Sequence, residues 1–424
     1  MEPIFVVSDD VTGCVDSGAI FLNGGCSVKV EVSPPRRELA LEMYDVISVN
    51  MSSRTISGEE AKTAHESLAR GLVKYRHRAV MKKMDIGFRG NASYEIEGLM
   101  RGLGAPVCFL MVHAPWRNTY TLDGRQYYEG VLLEHSIVAM EDPLKRPRRS
   151  DICGILSADT SLSVKSIPLV QVRGDDLASH IRGTAERGGR ILVFDAVTEE
   201  DGCRVVRALN PLYPDALWAG SGGMAWALTA HFCRVPADPV RIEPETPPRC
   251  VCFCASKIST TRKQINVAEK ECDLKVVRLD MGKVLGGGPR LSEIERAVRE
   301  CLATDEGRDF LLMPNVPEAA ERLGIERLDK QILDVLSGCA EKICRCRAFD
   351  RLIVIGGETA QAIFGTLGVT RLQLLERPEA GIGAGTILDG VHKGKSFSIK
   401  GGVCGSPVAL CKMLGKWIPR DGNT

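Results

Sequence analysis

The sequence predicts two α/β domains with mainly parallel sheets, and three observations predict it. Hydrophobic residues make up 44% of the 424 residues with only 5% aromatic and 43 glycines, a composition suited to α/β layers with many tight turns. Short apolar runs repeatedly lead through a polar turn into an amphipathic helix, and in a parallel sheet such turns gather where ligands bind. The stretch Val235 to Arg249 carries Pro236, Pro239, Pro244, Pro247 and Pro248 with little apolar content. It divides the chain into a domain 1–235, a linker 236–249 and a domain 250–424, as suits a chain too long for one core.

Ile4-Phe5-Val6-Val7 reads as a buried strand feeding the turn Ser8-Asp9-Asp10-Val11-Thr12-Gly13 and a helix with Val15, Ala19 and Leu22 on one face. The adjacent carboxylates suit a general base, a water-mediated metal contact or a helix cap. Tyr44 to Val49 is the next strand, ending in Asn50-Met51-Ser52-Ser53-Arg54, with a helix from about Ser57. Ala79-Val80-Met81 is a third apolar run. Lys82 to Asn91, KKMDIGFRGN, joins it to a helix with Ala92, Ile96, Leu99, Met100 and Leu103 on one face. Asn91 is placed to cap that helix, so its first-turn amides and the Arg89 guanidinium can face one small anion. The competing reading is a solvated, charge-rich loop.

Val107 to Val112 gives a strand leading to His113, and Thr119 to Leu133, with Asp123-Gly124 as turn, reads as a β-hairpin. Lys145 to Arg149 reads as an exposed basic loop. Ile191 to Phe194 is a strand ending in Asp195, and Leu217-Trp218 precedes Gly220-Ser221-Gly222-Gly223 and a helix.

The second domain restarts with the strand Val251 to Cys254, then Ala255-Ser256-Lys257 and a helix. Gly286-Gly287-Gly288-Pro289 is a turn before Ser292-Glu293-Ile294-Glu295, a capping-box start. Phe310 to Met313 is a strand, and so is Leu352 to Ile355, which leads into Gly356-Gly357-Glu358-Thr359-Ala360 and a helix with Ile363 and Phe364 on its apolar face. Paired glycines, a hydroxyl and a helix start form a phosphate cradle, because bare backbone exposes its amides beside the helix dipole. Ser396 to Lys400, Gly401-Gly402-Val403-Cys404-Gly405 and a final helix close the chain. Gly390 to Ser396, GVHKGKS, nearly spells a P-loop, but its first glycine falls one residue too close and a strand follows.

Basic residues number 55 and acidic 54, so no overall field attracts nucleic acid or a membrane surface. No apolar run is long enough to span a bilayer, and the first residues lack a signal peptide's pattern, so a cytoplasmic protein is expected. The 16 cysteines include no C-x-x-C pair, and their spacing argues for buried thiols rather than metal ligands or disulfides. Cys250, Cys252 and Cys254 alternate along one strand face, as buried small hydrophobes do.

Taken together, these stations resemble the four-carbon acid sugar kinases, an ATP-dependent family formerly known only as a domain of unknown function. The resemblance runs nearly end to end. It rests on Asp9, Asp10, Thr12 and Gly13; on Ser53-Arg54; on Lys82, Lys83, Asp85, Arg89, Gly90 and Asn91; and on the Gly220-Ser221-x-Gly223 turn. In the second domain it rests on Ala255-Ser256, on Gly356 through Ala360 and on Lys400 through Gly405. Three departures stand out: Glu358 for the family's Asp, Ala255 for Gly, and Ile86-Gly87-Phe88 for Ser-Thr-Leu. Val403-Cys404 also replaces Gly-Phe.

The resemblance implies a sugar-acid-binding N-terminal domain, a nucleotide-binding C-terminal domain and an active site in the cleft between them. It implies transfer of a phosphoryl group from ATP, with Mg²⁺, to a hydroxyl of an acid such as threonate or erythronate. Asp10 or Asp85 would take the hydroxyl proton. Asp9, Arg54, Lys82, Lys83, Arg89, Gly90 and Asn91 would bind the acid, and Ser256, Gly356, Gly357, Glu358, Thr359, Gly401 and Gly402 would bind ATP. The metal ligands stay unassigned and a homodimer is left open. Two other readings are a kinase of a different small hydroxy acid, favoured by the lost hydroxyls at 86–88, and a non-catalytic ligand-binding relative.

Overall fold

The computed structural model describes residues 2–35, 43–141, 147–235, 246–285, 290–305, 307–316 and 325–416. The chain forms two compact units, Met1–Asp238 and Pro239–Thr424. Most of the expected linker, the Gly286–Pro289 turn and Lys145 lie outside the described residues.

In the first unit the strands are β1 (Ile4–Ser8), β2 (Val28–Glu31), β3 (Val46–Asn50), β4 (Ala79–Lys83), β5 (Cys108–Met111), β6 (Tyr120–Leu122), β7 (Arg125–Tyr128), β8 (Val131–Leu132), β9 (Val164–Ile167), β10 (Ile191–Phe194) and β11 (Leu217–Gly220). Eight of them run in the order β2-β3-β1-β4-β11-β5-β10-β9, and each neighbouring pair is parallel. Every residue of β1, β3, β4, β5, β10 and β11 is buried. Helices cover both faces of a parallel sheet, which is why these strands read as continuous apolar runs instead of alternating ones. Phe5, Val7, Ile47, Val49, Leu110 and Leu217 belong to one core with helix residues Ile96 and Leu99.

The expected hairpin is the antiparallel sheet β6-β7-β8. Its turn residues Asp123 (φ 52) and Gly124 (φ 68) are both left-handed, as a type I′ turn requires. The Asp195 carboxylate accepts from their amides at 2.8 and 2.9 Å, fixing the hairpin to the end of β10.

The second unit contains β12 (Cys250–Cys254), β13 (Lys275–Asp280), β14 (Phe310–Asn315), β15 (Arg351–Ile355), β16 (Arg371–Glu379), β17 (Ile382–Ile387) and β18 (Ser396–Lys400), in the order β13-β14-β12-β15-β18-β17-β16. The first five positions are parallel, while β17 runs antiparallel to β18 and β16. Cys250, Cys252 and Cys254 all enter one apolar core with Ile353, Ile355 and Cys411. Burial pushes the Cys254 thiol up to about 11, so it stays protonated and inert.

Two expectations need correction. Cys26 and Cys233 are paired as a disulfide, Cα–Cα 6.8 Å, whereas the spacing argued for free thiols throughout. The pairing joins the ends of two helices far apart in sequence, which local spacing cannot reveal. Ser292 does not cap its helix: Arg290–Leu302 is already helical there, and Glu293 instead accepts from the Asp280 amide at 2.9 Å.

Two histidines are sealed in the first unit. His65 and His113 are both fully buried, and burial pushes each down to about 4 from 6.5. The unfolded chain therefore binds the proton first. Stability is whole above about pH 6.5 and drains as pH falls toward about 4. Each site accounts for at most about 3 kcal/mol. Urea midpoints between pH 7.5 and 4.5 should fall in the wild type and fall less in His65→Gln and His113→Gln variants; equal slopes would refute the assignment.

Candidate active site

The pairing register brings the strand ends together. Ser8 pairs with Asn50 and with Lys83, and Gly220 pairs with Lys83 and Met111. The turns following β1, β3, β4 and β11 therefore leave the sheet along one edge.

Asp10 caps the helix Val11–Asn23, its carboxylate accepting from the Gly13 amide at 2.6 Å and from the Thr12 hydroxyl at 2.7 Å. Arg54 grips both carboxylates of the turn. Its Nε and Nη2 donate to Asp9 at 2.7 and 3.1 Å, and its Nη1 lies 2.8 Å from Asp10 Oδ2. Burial pushes the Asp9 carboxyl up, but Arg54 and Lys82 outweigh it and hold it below its usual value. Gly90 lies over this pair, since a Cβ there would stand 3.1 Å from Asp9 Oδ2.

Asp85 and Arg89 form a second fork, Nε and Nη2 each donating at 2.8 Å, and the Gly87 amide adds a bond of 3.0 Å. Burial opposes ionisation of Asp85, yet Arg89 prevails and holds the carboxyl far below the carboxylate range. Asn91 occupies the cap position of Ala92–Leu103 without capping it; its amide instead donates to the carbonyls of Ser53 and Ile56 at 2.8 and 2.9 Å. The side chain that was expected to cap a helix thus ties two site loops together.

The two lysines of the motif part company. Lys82 is fully buried, its Nζ 2.9 Å from Glu95, and Glu95 also accepts from the Ser53 hydroxyl at 2.5 Å. Lys83 donates to the Met84 carbonyl at 2.8 Å and, among the described ion pairs, has no carboxylate. The Gly220 to Gly223 turn is stitched to the end of β5: the Ser221 hydroxyl and the Gly223 amide both donate to the His113 carbonyl, at 2.7 and 2.8 Å.

Ile86 and Phe88 do not face outward as a polar loop would. They pack against Tyr128, Leu133 and Val138 beside the hairpin. A Cβ on Gly87 would lie 2.9 Å from Val138 Cγ1 and 3.0 Å from Asp85 Oδ2, so a side chain there has no room.

In the second unit Cys254 pairs with Ile355, and Ile355 with Lys400. The turns carrying Ser256, Gly356 and Gly401 again leave one sheet edge together. Gly356, at φ 104, precedes the helix Gly357–Thr366 and donates to the Lys400 carbonyl at 2.9 Å. Thr359 is buried and Glu358 exposed in its first turn. A Cβ on Gly402 would stand 2.9 Å from the Ser256 hydroxyl. Lys400 is fully buried and donates to the Gly401 carbonyl at 2.8 Å. Sequence reasoning passed over Glu95, Thr261 and Gln264, which support these turns from helices.

Among the described residues no group of three or more His, Cys, Asp or Glu side chains is placed to hold a metal, and no helix is long and apolar enough to cross a membrane.

Comparison with known proteins adds to this geometry. The model of a sugar-binding N-terminal domain matches residues 4–228, and that of a nucleotide-binding C-terminal domain matches 251–410. The chain is 23% identical to the D-erythronate kinase of Heliobacterium modesticaldum, covering 100% of this chain and 99% of that protein. It is 27% identical to the 3-oxo-tetronate kinase of Methylobacterium radiotolerans over 89% of this chain and 90% of the relative. The solved structure of Haemophilus influenzae protein HI1011 superposes with a TM-score of 0.71 at 18% identity, covering 98% of this chain and 100% of that one, which shows a shared fold.

Proposed function

Since this chain belongs to the four-carbon acid sugar kinase family, whose sugar-binding and nucleotide-binding domains it carries in order, we propose that it phosphorylates a hydroxyl of a small sugar acid with ATP. The observation that supports this most is the Asp9-Asp10-Arg54 cluster beside the Asp85-Arg89 fork, in the unit matched as sugar-binding.

Asp10 is the stronger choice as proton acceptor. Asp85 is held far below its ordinary value by Arg89, so its affinity for a proton is small. Arg54 orients both carboxylates of the turn, and its charge stabilises them in place. Of the four cations assigned to the acid, Arg54, Lys82 and Arg89 already hold the chain's own carboxylates, so Lys83 is the one we assign to the substrate carboxylate. Gly90 keeps the approach to Asp9 open, and Asn91 fixes the loop.

In the second domain, Ser256, Gly356, Gly357, Glu358, Thr359, Gly401 and Gly402 are assigned to ATP. The fit is good, because bare glycine backbone, hydroxyls and the buried cation Lys400 lie at one sheet edge. ATP supplies the phosphoryl group and Mg²⁺ its charge neutralisation. Mg²⁺ would travel with the nucleotide, as the family reaction implies, and no residue of this chain is assigned to hold it.

The packing of residues 86–88 favours a second reading, a kinase of a less hydroxylated acid. Ile86 and Phe88 are committed to the hairpin cluster and Gly87 has no space for a hydroxyl, so this loop cannot hydrogen-bond a polyol through side chains. A site lacking such groups gives up discrimination for the hydroxyl it would have read. ADP release should be measured for wild type and Asp10→Asn over threonates, erythronates, 3-oxo-tetronate and deoxy acids. We expect turnover in the wild type and a loss of about 10²-fold or more in the variant. Equal turnover would sink the role of Asp10, a preference for deoxy or oxo acids would select the second reading, and nucleotide binding without turnover of any acid would favour a non-catalytic protein.

A further inference from the structure

We infer that Gln264, aided by Thr261 and Lys400, is a positioning residue that holds the loop 401–406 with its carbonyls inward and its amides free for nucleotide phosphate. This rests on the nucleotide reading of the second domain.

Gln264 lies on the helix Ser259–Glu271 and is fully buried. Its Nε2 donates to the carbonyls of Cys404, Gly405 and Ser406, at 3.0, 2.9 and 2.9 Å. Three carbonyl oxygens around one atom demand a donor there, which settles the orientation of the amide. Thr261, one turn earlier on the same helix, donates to the Gly402 carbonyl at 2.7 Å. Lys400 donates to the Gly401 carbonyl at 2.8 Å and to the Thr261 hydroxyl at 3.3 Å. Three side chains thus restrain five successive or near-successive carbonyls.

A peptide plane carries its C=O and the following N–H in opposite directions. Drawing the carbonyls of Gly401, Gly402 and Cys404 toward the harness turns the amides of Gly402, Val403 and Gly405 away from it. Those three amides make no backbone or side-chain hydrogen bond among the described residues, whereas Cys404 donates to Gly401 and Ser406 to Glu379. Successive unpaired amides on one side of a turn form an anion-binding concavity. Lys400 adds a buried positive charge beneath it, with no carboxylate among the described ion pairs. Among the described residues the Gln264 Oε1 atom has no partner, so the three ties come at the cost of a buried orphan. That cost is hard to explain if Gln264 only fills space.

The test compares wild type with Gln264→Leu and Gln264→Glu. The second keeps the shape but sets a carboxylate oxygen against three carbonyls. ADP affinity is read by calorimetry, exchange of the 401–406 amides by mass spectrometry without nucleotide, and KM for ATP and for the acid by coupled assay. We expect ADP to bind at least tenfold more weakly and the loop amides to exchange faster. KM for ATP should rise while KM for the acid holds, with the Glu variant worse than Leu. Should either variant fail to fold, Thr261→Val, which removes one tie, is expected to raise the ADP Kd about threefold with the same KM split. ADP affinity within the error of wild type, in the folded Gln264 variants or in Thr261→Val, overturns the inference. A wild type that binds no ADP overturns the nucleotide reading itself, and is recognised because no variant is needed to see it.

Discussion

Replacing Arg54 with alanine is expected to remove nearly all turnover and to destabilise the first unit by about 3–5 kcal/mol. One guanidinium faces two buried carboxylates, at 2.7 and 2.8 Å, and its removal leaves Asp9 and Asp10 opposed with no cation between them. Losing one partner of a buried ion pair costs more than the pair contributes, because the survivor stays desolvated. Turnover should fall by about 10²-fold or more, since Asp10 would no longer be held in one geometry. Arg54→Lys keeps the charge but cannot span both carboxylates with a planar fork, so it should restore part of the stability and little of the turnover. Asp9→Asn in the Arg54→Ala background removes the repulsion and should recover stability alone. Denaturant melts beside ADP-release assays separate these outcomes, and an Arg54→Ala protein as stable as wild type would contradict the arrangement.

The second large effect separates two adjacent lysines. Lys82→Met strands Glu95 in the interior and should cost about 3–5 kcal/mol, while the double variant with Glu95→Leu, which leaves no charge behind, should regain most of it. Lys83→Met breaks no ion pair among the described residues, so its melt should shift by less than about 1 kcal/mol, with the effect falling on KM for the acid. Urea unfolding of all three variants, with acid KM for Lys83→Met, checks the division. If Lys82→Met melts like wild type and Lys83→Met unfolds, the roles are reversed.

Most of the α/β frame was legible because strands covered on both faces are written as uninterrupted apolar runs: Ile4 to Val7, Leu110 and its neighbours, and Leu352 to Ile355 all form strands. The antiparallel pair β16 and β17 was not. Gln373, Glu376 and Arg377 interrupt one strand, and glycines the other, so no period stands out. The strand ends marked out a candidate site in the sequence, but not which of its charges were already matched. Lys82 and Lys83 look alike in sequence. Both are buried, and the alternation of a strand turns them to opposite faces without telling which one meets a carboxylate there. Gln264 reads as an ordinary polar helix residue, and nothing local tells that it meets a loop about 140 positions later. The Cys26–Cys233 link, 207 residues apart, is equally silent.

The close fit of Gly87 under Val138 makes residues 86–88 and the hairpin segment a matched set. Neither half can be rewritten alone: a hydroxyl-bearing side chain at 87 needs a smaller residue at 138, and a smaller residue at 138 leaves Ile86 and Phe88 underpacked. Installing a hydroxyl at position 87 in the laboratory therefore runs through paired changes. On the proposed reading, a change of acid made at residues 86–88 calls for a matching change at Val138, while the buried strands of the sheet stay as they are.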